Sequence, residues 1–216
     1  MPGYSVHTST VAIGGFDYRI RALSDKQQFS DAGGQAELAG ISSATWPLFG
    51  VLWPAGLVLA DEMSSFPVTG KRVLEIGCGL GLSSLVLQRR GADITASDHH
   101  PLAEEFLLEN ARLNGLPPVR FRIAQWSGPN PDLGSFDLII GSDVLYERDH
   151  VPLLAGFFAE HARSQAEILI TDPGRSHGNA LTRALEIQGY QCTEERRAFE
   201  VGDSAPFRGR LLSYRR

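Results

Sequence analysis

Gly77, Gly79 and Gly81 stand at alternate positions directly after the apolar run 73–76, with Glu75 two residues before the first of them. Glycine admits positive φ and leaves no Cβ in the way, so backbone N–H groups and the N-terminus of a following helix can approach a bound group closely. About twenty residues on, the β-branched run 92–98 ends in Asp98, and a carboxylate at a strand tip can accept two hydrogen bonds from the hydroxyls of a ribose. The alternating run 119–123 leads to Ala124, Gln125 and Trp126, where an indole can lie against a flat heterocycle while Gln125 bonds its edge. The apolar run 136–141 then ends in Ser142-Asp143-Val144-Leu145-Tyr146-Glu147. These residues point to a nucleoside-like ligand with a reactive end beside Ser142, Asp143 and Tyr146.

Each assignment has a plainer reading. Asp98 can open a turn before His99-His100-Pro101, Trp126 can be an ordinary half-buried loop tryptophan, and Asp143 can cap a helix beginning near Leu145. The glycine spacing G-x-G-x-G also departs from the G-x-G-x-x-G of dinucleotide sites.

The elements that must carry these residues alternate in type. A strand before the glycines is followed by a helix over 82–90 stopped by Gly91, and a second strand ends at Asp98. A helix over 102–114, a strand over 119–123 and a fourth strand ending near Gly141 come next. A fifth strand ahead of the segment 168–175, a helix over 179–188 closed by Gly189, and strands over 190–199 and 210–214 joined by a turn at 202–209 complete seven. Strand and helix signals in alternation predict an α/β domain with a mostly parallel sheet and helices on both faces. In such a sheet the crevice lies outside the carboxyl ends of the strands, which gathers the glycine turn, Asp98 and Ser142 to Tyr146 at one edge. Residues 1–45 read differently, as a β-hairpin over 6–13 and 16–21 turning at Gly14-Gly15, then a polar mobile connection over 24–43. That segment is either a substrate lid or edge coverage, and residues 46–216 form the main domain.

Length and charge narrow the classes. A chain of 216 residues suits one α/β domain. Its 20 basic and 25 acidic residues give a net charge of −5 and a pI near 5.7, which offers no broad footprint for phosphate backbones, so no nucleic-acid partner is expected. No apolar stretch reaches the length of a membrane span, and Met-Pro-Gly-Tyr-Ser-Val-His has neither a basic n-region nor an apolar h-region, so a cytoplasmic protein without membrane contact is expected. Cys78 and Cys192 lie far apart, and the six histidines show no H-x-x-x-H spacing, so neither a disulfide framework nor a metal site is expected.

Taken together, Glu75-x-Gly77-x-Gly79-x-Gly81, Asp98, Trp126 and Asp143-Val144-Leu145-Tyr146, with Trp53-Pro54-Ala55-Gly56 upstream, resemble the seven-strand S-adenosylmethionine-dependent methyltransferases. Within them the chain is similar to the branch of non-SET protein-lysine and nicotinamide-methyltransferase-like enzymes. The resemblance covers about residues 45 to 190 and implies a Rossmann-like seven-stranded sheet and S-adenosyl-L-methionine as cofactor. It implies that Trp53, Glu75, Gly77, Gly79, Gly81, Asp98, Gln125, Trp126 and Ser142 surround that cofactor, Trp53 bordering the opening and Glu75 anchoring the glycine loop. It implies that Asp143 and Tyr146, the Asp-x-x-Tyr hallmark, hold the nucleophile. The segment 168–175 is similar to bacterial members acting on the electron-transfer flavoprotein β subunit. The Asn/Asp-Pro-Pro-Tyr/Phe tetrad of base-methylating enzymes is absent.

The expected activity is methylation of lysine in a protein substrate by a monomer. The alternatives are a small-molecule N-methyltransferase acting on an amine or pyridine, a non-catalytic cofactor-binding module and, last, a nicotinamide-dependent oxidoreductase. Transfer from a sulfonium is driven by its leaving group, so the protein has to align a neutral nucleophile and exclude water. Asp143 is expected to orient the amine more than to act as a strong base.

Overall fold

The structure is a computed structural model describing residues 3–174, 177–199 and 206–216. In chain order these form β1 (Val6–Ile13), β2 (Phe16–Leu23), α1 (Gln35–Leu38), a 3-10 turn (Trp46–Gly50), α2 (Pro54–Ser65), β3 (Arg72–Ile76), α3 (Leu82–Arg89), β4 (Asp93–Asp98), α4 (Ala103–Leu113) and β5 (Arg120–Ile123). There follow β6 (Phe136–Ser142), α5 (His150–His161), β7 (Ala162–Asp172), α6 (Gly178–Ile187), β8 (Gln191–Arg196) and β9 (Arg210–Arg215).

The runs 73–76 and 136–141 lie side by side at the centre of the sheet, buried along nearly their whole length as parallel strands covered on both faces must be. The seven-stranded order is β5-β4-β3-β6-β7-β9-β8, parallel from β5 to β7, with β9 antiparallel to both its neighbours. From β3 the chain builds outward through β4 and β5, then returns to place β6 on the other side of β3. That reversal opens a crevice at the carboxyl ends of β3 and β6. One buried cluster joins α2, α3 and α4 to one face of the sheet and includes the hairpin residues Val11, Ile13, Tyr18 and Ile20; a second joins α5 and α6 to the other face. The helix stops at Gly91, Gly115 and Gly189 all take positive φ.

The hairpin is seated by side-chain amides. The free edge of β2 presents Arg19 and Arg21, two residues apart, and α4 presents Asn110 and Asn114, four residues apart. Both spacings span about 6 Å. The Arg21 N–H donates to Asn110 Oδ1 at 2.7 Å, the Arg19 N–H donates to Asn114 Oδ1 at 2.8 Å, and both amides donate back to the same residues' carbonyls. Two asparagines thus satisfy an edge that a third strand would otherwise pair.

Several expectations need correction. The sequence reading assigns no helix to 54–65, yet α2 occupies it, with Pro54 at its first position as a start signal. Helix α5 begins at His150 with Asp149 at its N-cap, so Asp143 does not cap a helix near Leu145. The connection after the hairpin contains α1, whose first turn is held by Asp31 accepting the Ala36 and Glu37 N–H groups. Residues 202–205 of the turn expected at 202–209, and Arg175 of the 168–175 segment, lie outside the described residues. Among the described residues no helix is long and apolar enough to cross a membrane.

Candidate active site

At the carboxyl ends of β3, β4 and β6 lies a cleft of about 630 Å³, within the range of small-molecule sites. All eleven residues singled out in the sequence line it: Trp53, Glu75, Gly77, Gly79, Gly81, Asp98, Gln125, Trp126, Ser142, Asp143 and Tyr146.

The glycine turn forms the floor. Gly77, Gly79 and Gly81 have φ of 56°, 52° and 75°. A Cβ on Gly79 would stand 2.6 Å from the Phe49 carbonyl oxygen, and one on Gly81 would stand 2.2 Å from Leu107, so these two glycines let the 3-10 turn and α4 pack tightly. A Cβ on Gly77 would point between Val144 and Trp126, at 3.3 and 3.6 Å, and glycine keeps that space clear. Glu75 lies beneath, 3 % exposed, accepting the Ser84 N–H at 2.9 Å and the Ser84 hydroxyl. It thereby pins the start of α3 against the loop. Burial pushes its carboxyl up to about 7, against the lowering effect of the Ser84 bonds. Asp98 accepts the Gly79 N–H on Oδ2 and the His100 N–H on Oδ1, both at 2.9 Å, which ties the tip of β4 to the turn. Each of its oxygens retains a further acceptor site. Cys78, inside the turn, is buried; burial first, and Asp98 and Glu75 after it, push its thiol well above the usual range and keep it unreactive.

Aromatic walls rise on two sides. Trp53, half-buried at the N-cap of α2, donates Nε1–H to the Leu48 carbonyl at 3.0 Å, which fixes its ring. Gly56, one turn into α2, would bring a Cβ to 3.6 Å from Ser142 Oγ, so this wall abuts the tip of β6. Trp126 stands opposite, its ring edge-on to His150 at 5.1 Å, while Gln125 is exposed at the rim with its backbone held by Asn130.

The tip of β6 carries the strained residue. Asp143 has φ 51°, and its N–H extends the β6–β7 ladder to the Thr171 carbonyl at 2.9 Å. Tyr146 is half-buried, and burial pushes its phenol up to about 12, with Glu147, Asp98 and Asp143 adding to the rise. The phenol therefore stays protonated near neutrality.

Two histidines complete the cleft that sequence reasoning did not pick out. His150 donates Nδ1–H to the Val144 carbonyl at 3.0 Å, meets the Tyr146 ring edge-on at 4.4 Å, and lies 3.6 Å from Glu147. It braces both aromatic residues and the backbone between Asp143 and Leu145. His100 stacks on Phe49 at 3.7 Å and accepts the Leu102 N–H, and burial drives it down to about 3, so it is neutral. Its sequence context reads only as a turn. Among the described residues no cluster of three or more His, Cys, Asp or Glu is arranged to hold a metal ion.

The family described as lysine methyltransferase matches residues 44–181. The chain is similar to the electron transfer flavoprotein beta subunit lysine methyltransferase of Rattus norvegicus, 34 % identical over 68 % of this chain and 58 % of that one. It is also similar to the protein N-lysine methyltransferase METTL21A of Danio rerio, 39 % identical over 52 % of this chain and 56 % of that one. The match thus spans less than two thirds of the length of these curated relatives. Among solved structures it shares its fold with the magnesium protoporphyrin IX methyltransferase from Synechocystis PCC 6803 with bound SAM, at a TM-score of 0.57 and 17 % identity, covering 74 % of this chain and 76 % of that one. The T. Thermophilus 16S rRNA N2 G1207 methyltransferase in complex with AdoMet and guanosine gives 0.64 and 16 % identity, covering 98 % of this chain and 50 % of that one.

Proposed function

The chain belongs to the lysine methyltransferase family, and from that premise we propose that it transfers methyl groups from S-adenosyl-L-methionine to lysine side chains of a protein substrate. The observation that carries the reading is the aromatic-walled end of the cleft beside the glycine turn, where Asp98, Asp143 and Glu147 share the lining with Tyr146 and act together to raise its phenol. An ammonium-bearing side chain is attracted there, and an indole face offers it cation–π contact.

The residues present fit the methyl donor. The space a Cβ on Gly77 would fill is kept open between Trp126 and Val144, and the Asp98 carboxylate reaches the same cleft with acceptor capacity left. In this reading Gly77, Gly79, Gly81 and Glu75 shape the floor under the donor, Asp98 takes its ribose hydroxyls, and Trp126 with Gln125 borders its base. Bound there, the donor supplies an electrophilic methyl carbon on a sulfonium. Asp143 then orients the amine and balances its charge, held at a fixed angle by the Thr171 bond. The neutral phenol of Tyr146 places its oxygen on the amine, and His150 keeps that ring from turning away. Trp53, Trp126 and Val144 keep water from the reacting atoms.

The proposal includes a cytosolic monomer. The first acceptor to try is the electron-transfer flavoprotein β subunit, on the strength of the rat relative and the 168–175 segment. The test is calorimetric titration with S-adenosyl-L-methionine and, separately, NAD, followed by tritiated-methyl transfer into size-fractionated lysate. Selective binding of S-adenosyl-L-methionine and label in a protein band are expected. Label confined to small molecules would replace the lysine reading with a small-amine acceptor, and failure to bind S-adenosyl-L-methionine would overturn both.

A further inference from the structure

Lysine is nearly absent from this chain: of its 20 basic residues only Lys26 and Lys71 are lysines. Their positions differ in kind. Lys71 precedes β3, at the amino end of the sheet, and its Nζ is paired with Glu167. The five residues of β3, about 16 Å of strand, separate it from the cleft. Lys26 is exposed on the turn after β2, with its Nζ over the indole of Trp53, 5.2 Å from the ring centroid and within cation–π range. That indole lines the cleft, is fixed by its bond to Leu48, and belongs to the wall that meets Ser142 at the tip of β6. The turn itself is tethered, since the Ser24 N–H and the Gln28 side-chain amide both donate to the Ser5 carbonyl and the Gln27 N–H donates to Asp25. An amine of the proposed acceptor type is therefore held by this chain against an outer wall of its own cleft.

We propose that Lys26 is a self-methylation site, modified in cis. The proposal rests on the methyltransferase reading above. The step requires the side chain to rotate past the indole edge, from its place over Trp53, so that Nζ enters the cleft. After giving one proton to water, Nζ shares its lone pair with the methyl carbon of the sulfonium donor; the carbon–sulfur bond breaks, its electron pair stays on sulfur as a thioether, and the nitrogen carries the positive charge. Methylation preserves that charge and adds apolar surface, so the product binds the Trp53 face more strongly than the unmodified amine.

The test uses the full chain with S-adenosyl-L-methionine and no other protein, read by intact mass and peptide mapping. Whole methyl increments on Lys26 are expected, with Lys71 unmodified, at a first-order rate that dilution does not change. Lys26→Arg abolishes the increment while leaving transfer to a separate protein acceptor intact, and Trp53→Ala slows it. A second readout needs no donor: the Lys26 ε-methylene protons are expected upfield in NMR spectra through the indole ring current, and Trp53→Ala removes that displacement. Absence of any increment on a chain that labels an added acceptor in the same tube would overturn the proposal alone, as would an increment on Lys71 or a rate proportional to protein concentration. Failure to bind S-adenosyl-L-methionine would instead remove the methyltransferase reading and this proposal with it.

Discussion

Replacing Asp143 separates what its backbone does from what its carboxylate does. Among the described residues it is the single non-glycine residue with positive φ, at 51°, and its N–H is tied to Thr171 at 2.9 Å. A left-handed backbone costs an ordinary residue about 1–2 kcal/mol, and less for Asp or Asn, whose short polar side chains bond locally. Asp143→Asn keeps that tolerance and removes the charge, whereas Asp143→Ala loses both. The Asn variant is expected within about 0.5 kcal/mol of the parent stability. The Ala variant is expected about 1 kcal/mol lower still, roughly 2–4 °C in Tm for a chain of this length. Both are expected to bind S-adenosyl-L-methionine with near-parental Kd, because its proposed contacts lie in the glycine turn and Asp98, and both are expected to lose methyl transfer. Thermal denaturation, calorimetry and a labelled-methyl assay on the same three proteins read these outcomes. Near-parental turnover of Asp143→Asn would refute the role given to the carboxylate, and equal Tm values for the Asn and Ala variants would refute the strain argument.

Three further expectations concern the frame around that residue. Burial lifts Glu75 from its ordinary 4.5 to about 7, so the folded state holds the extra proton across that window. The associated stability is fully present below pH 4.5 and lost as pH rises through about 7, a fall of about 3 kcal/mol; Glu75→Gln is expected to flatten the slope of urea midpoints between pH 4.5 and 8, and a parallel slope in the variant would contradict this. Gly79→Ala places a Cβ 2.6 Å from the Phe49 carbonyl at φ 52°, at a cost on the order of 1–3 kcal/mol, with weakened donor binding by calorimetry. Asn110 bonds both backbone groups of Arg21 and donates to the Leu80 carbonyl; Asn110→Ala orphans these groups at about 1–3 kcal/mol each where they are buried, and hydrogen exchange at the Arg21 amide is expected to quicken, while Asn110→Asp, which keeps the acceptor, protects that amide.

What the sequence revealed follows from locality. The glycine turn, Asp98 and the tip of β6 are each marked by an apolar run that stops abruptly, and parallel-sheet geometry carries those stops to one edge, which is why eleven scattered residues share one cleft. Helix α2 escaped because Ala55, Leu57, Val58, Leu59, Ala60 and Met63 are all buried, leaving no one-sided stripe for a period of 3.6 to reveal. By residue type Asp143 and Asp149 are equally good caps for α5, and only the ladder bond from Asp143 to Thr171 distinguishes them. His150 and His100 act through contacts with Tyr146, Trp126 and Phe49 that no local spacing encodes. The hairpin's seat rests on asparagines 89 and 95 residues away from their partners, a match visible only once α4 and β2 are side by side.

In the proposed reaction the amine of a protein lysine is the nucleophile beside Asp143 and Tyr146. The most direct measurement of this is amino-acid analysis of the protein fraction after transfer from tritiated S-adenosyl-L-methionine, with wild type and Asp143→Asn run in parallel. Label recovered as methyl-lysine from the wild-type reaction and absent with the variant is the predicted result; label on any other residue, or none in protein at all, would contradict it.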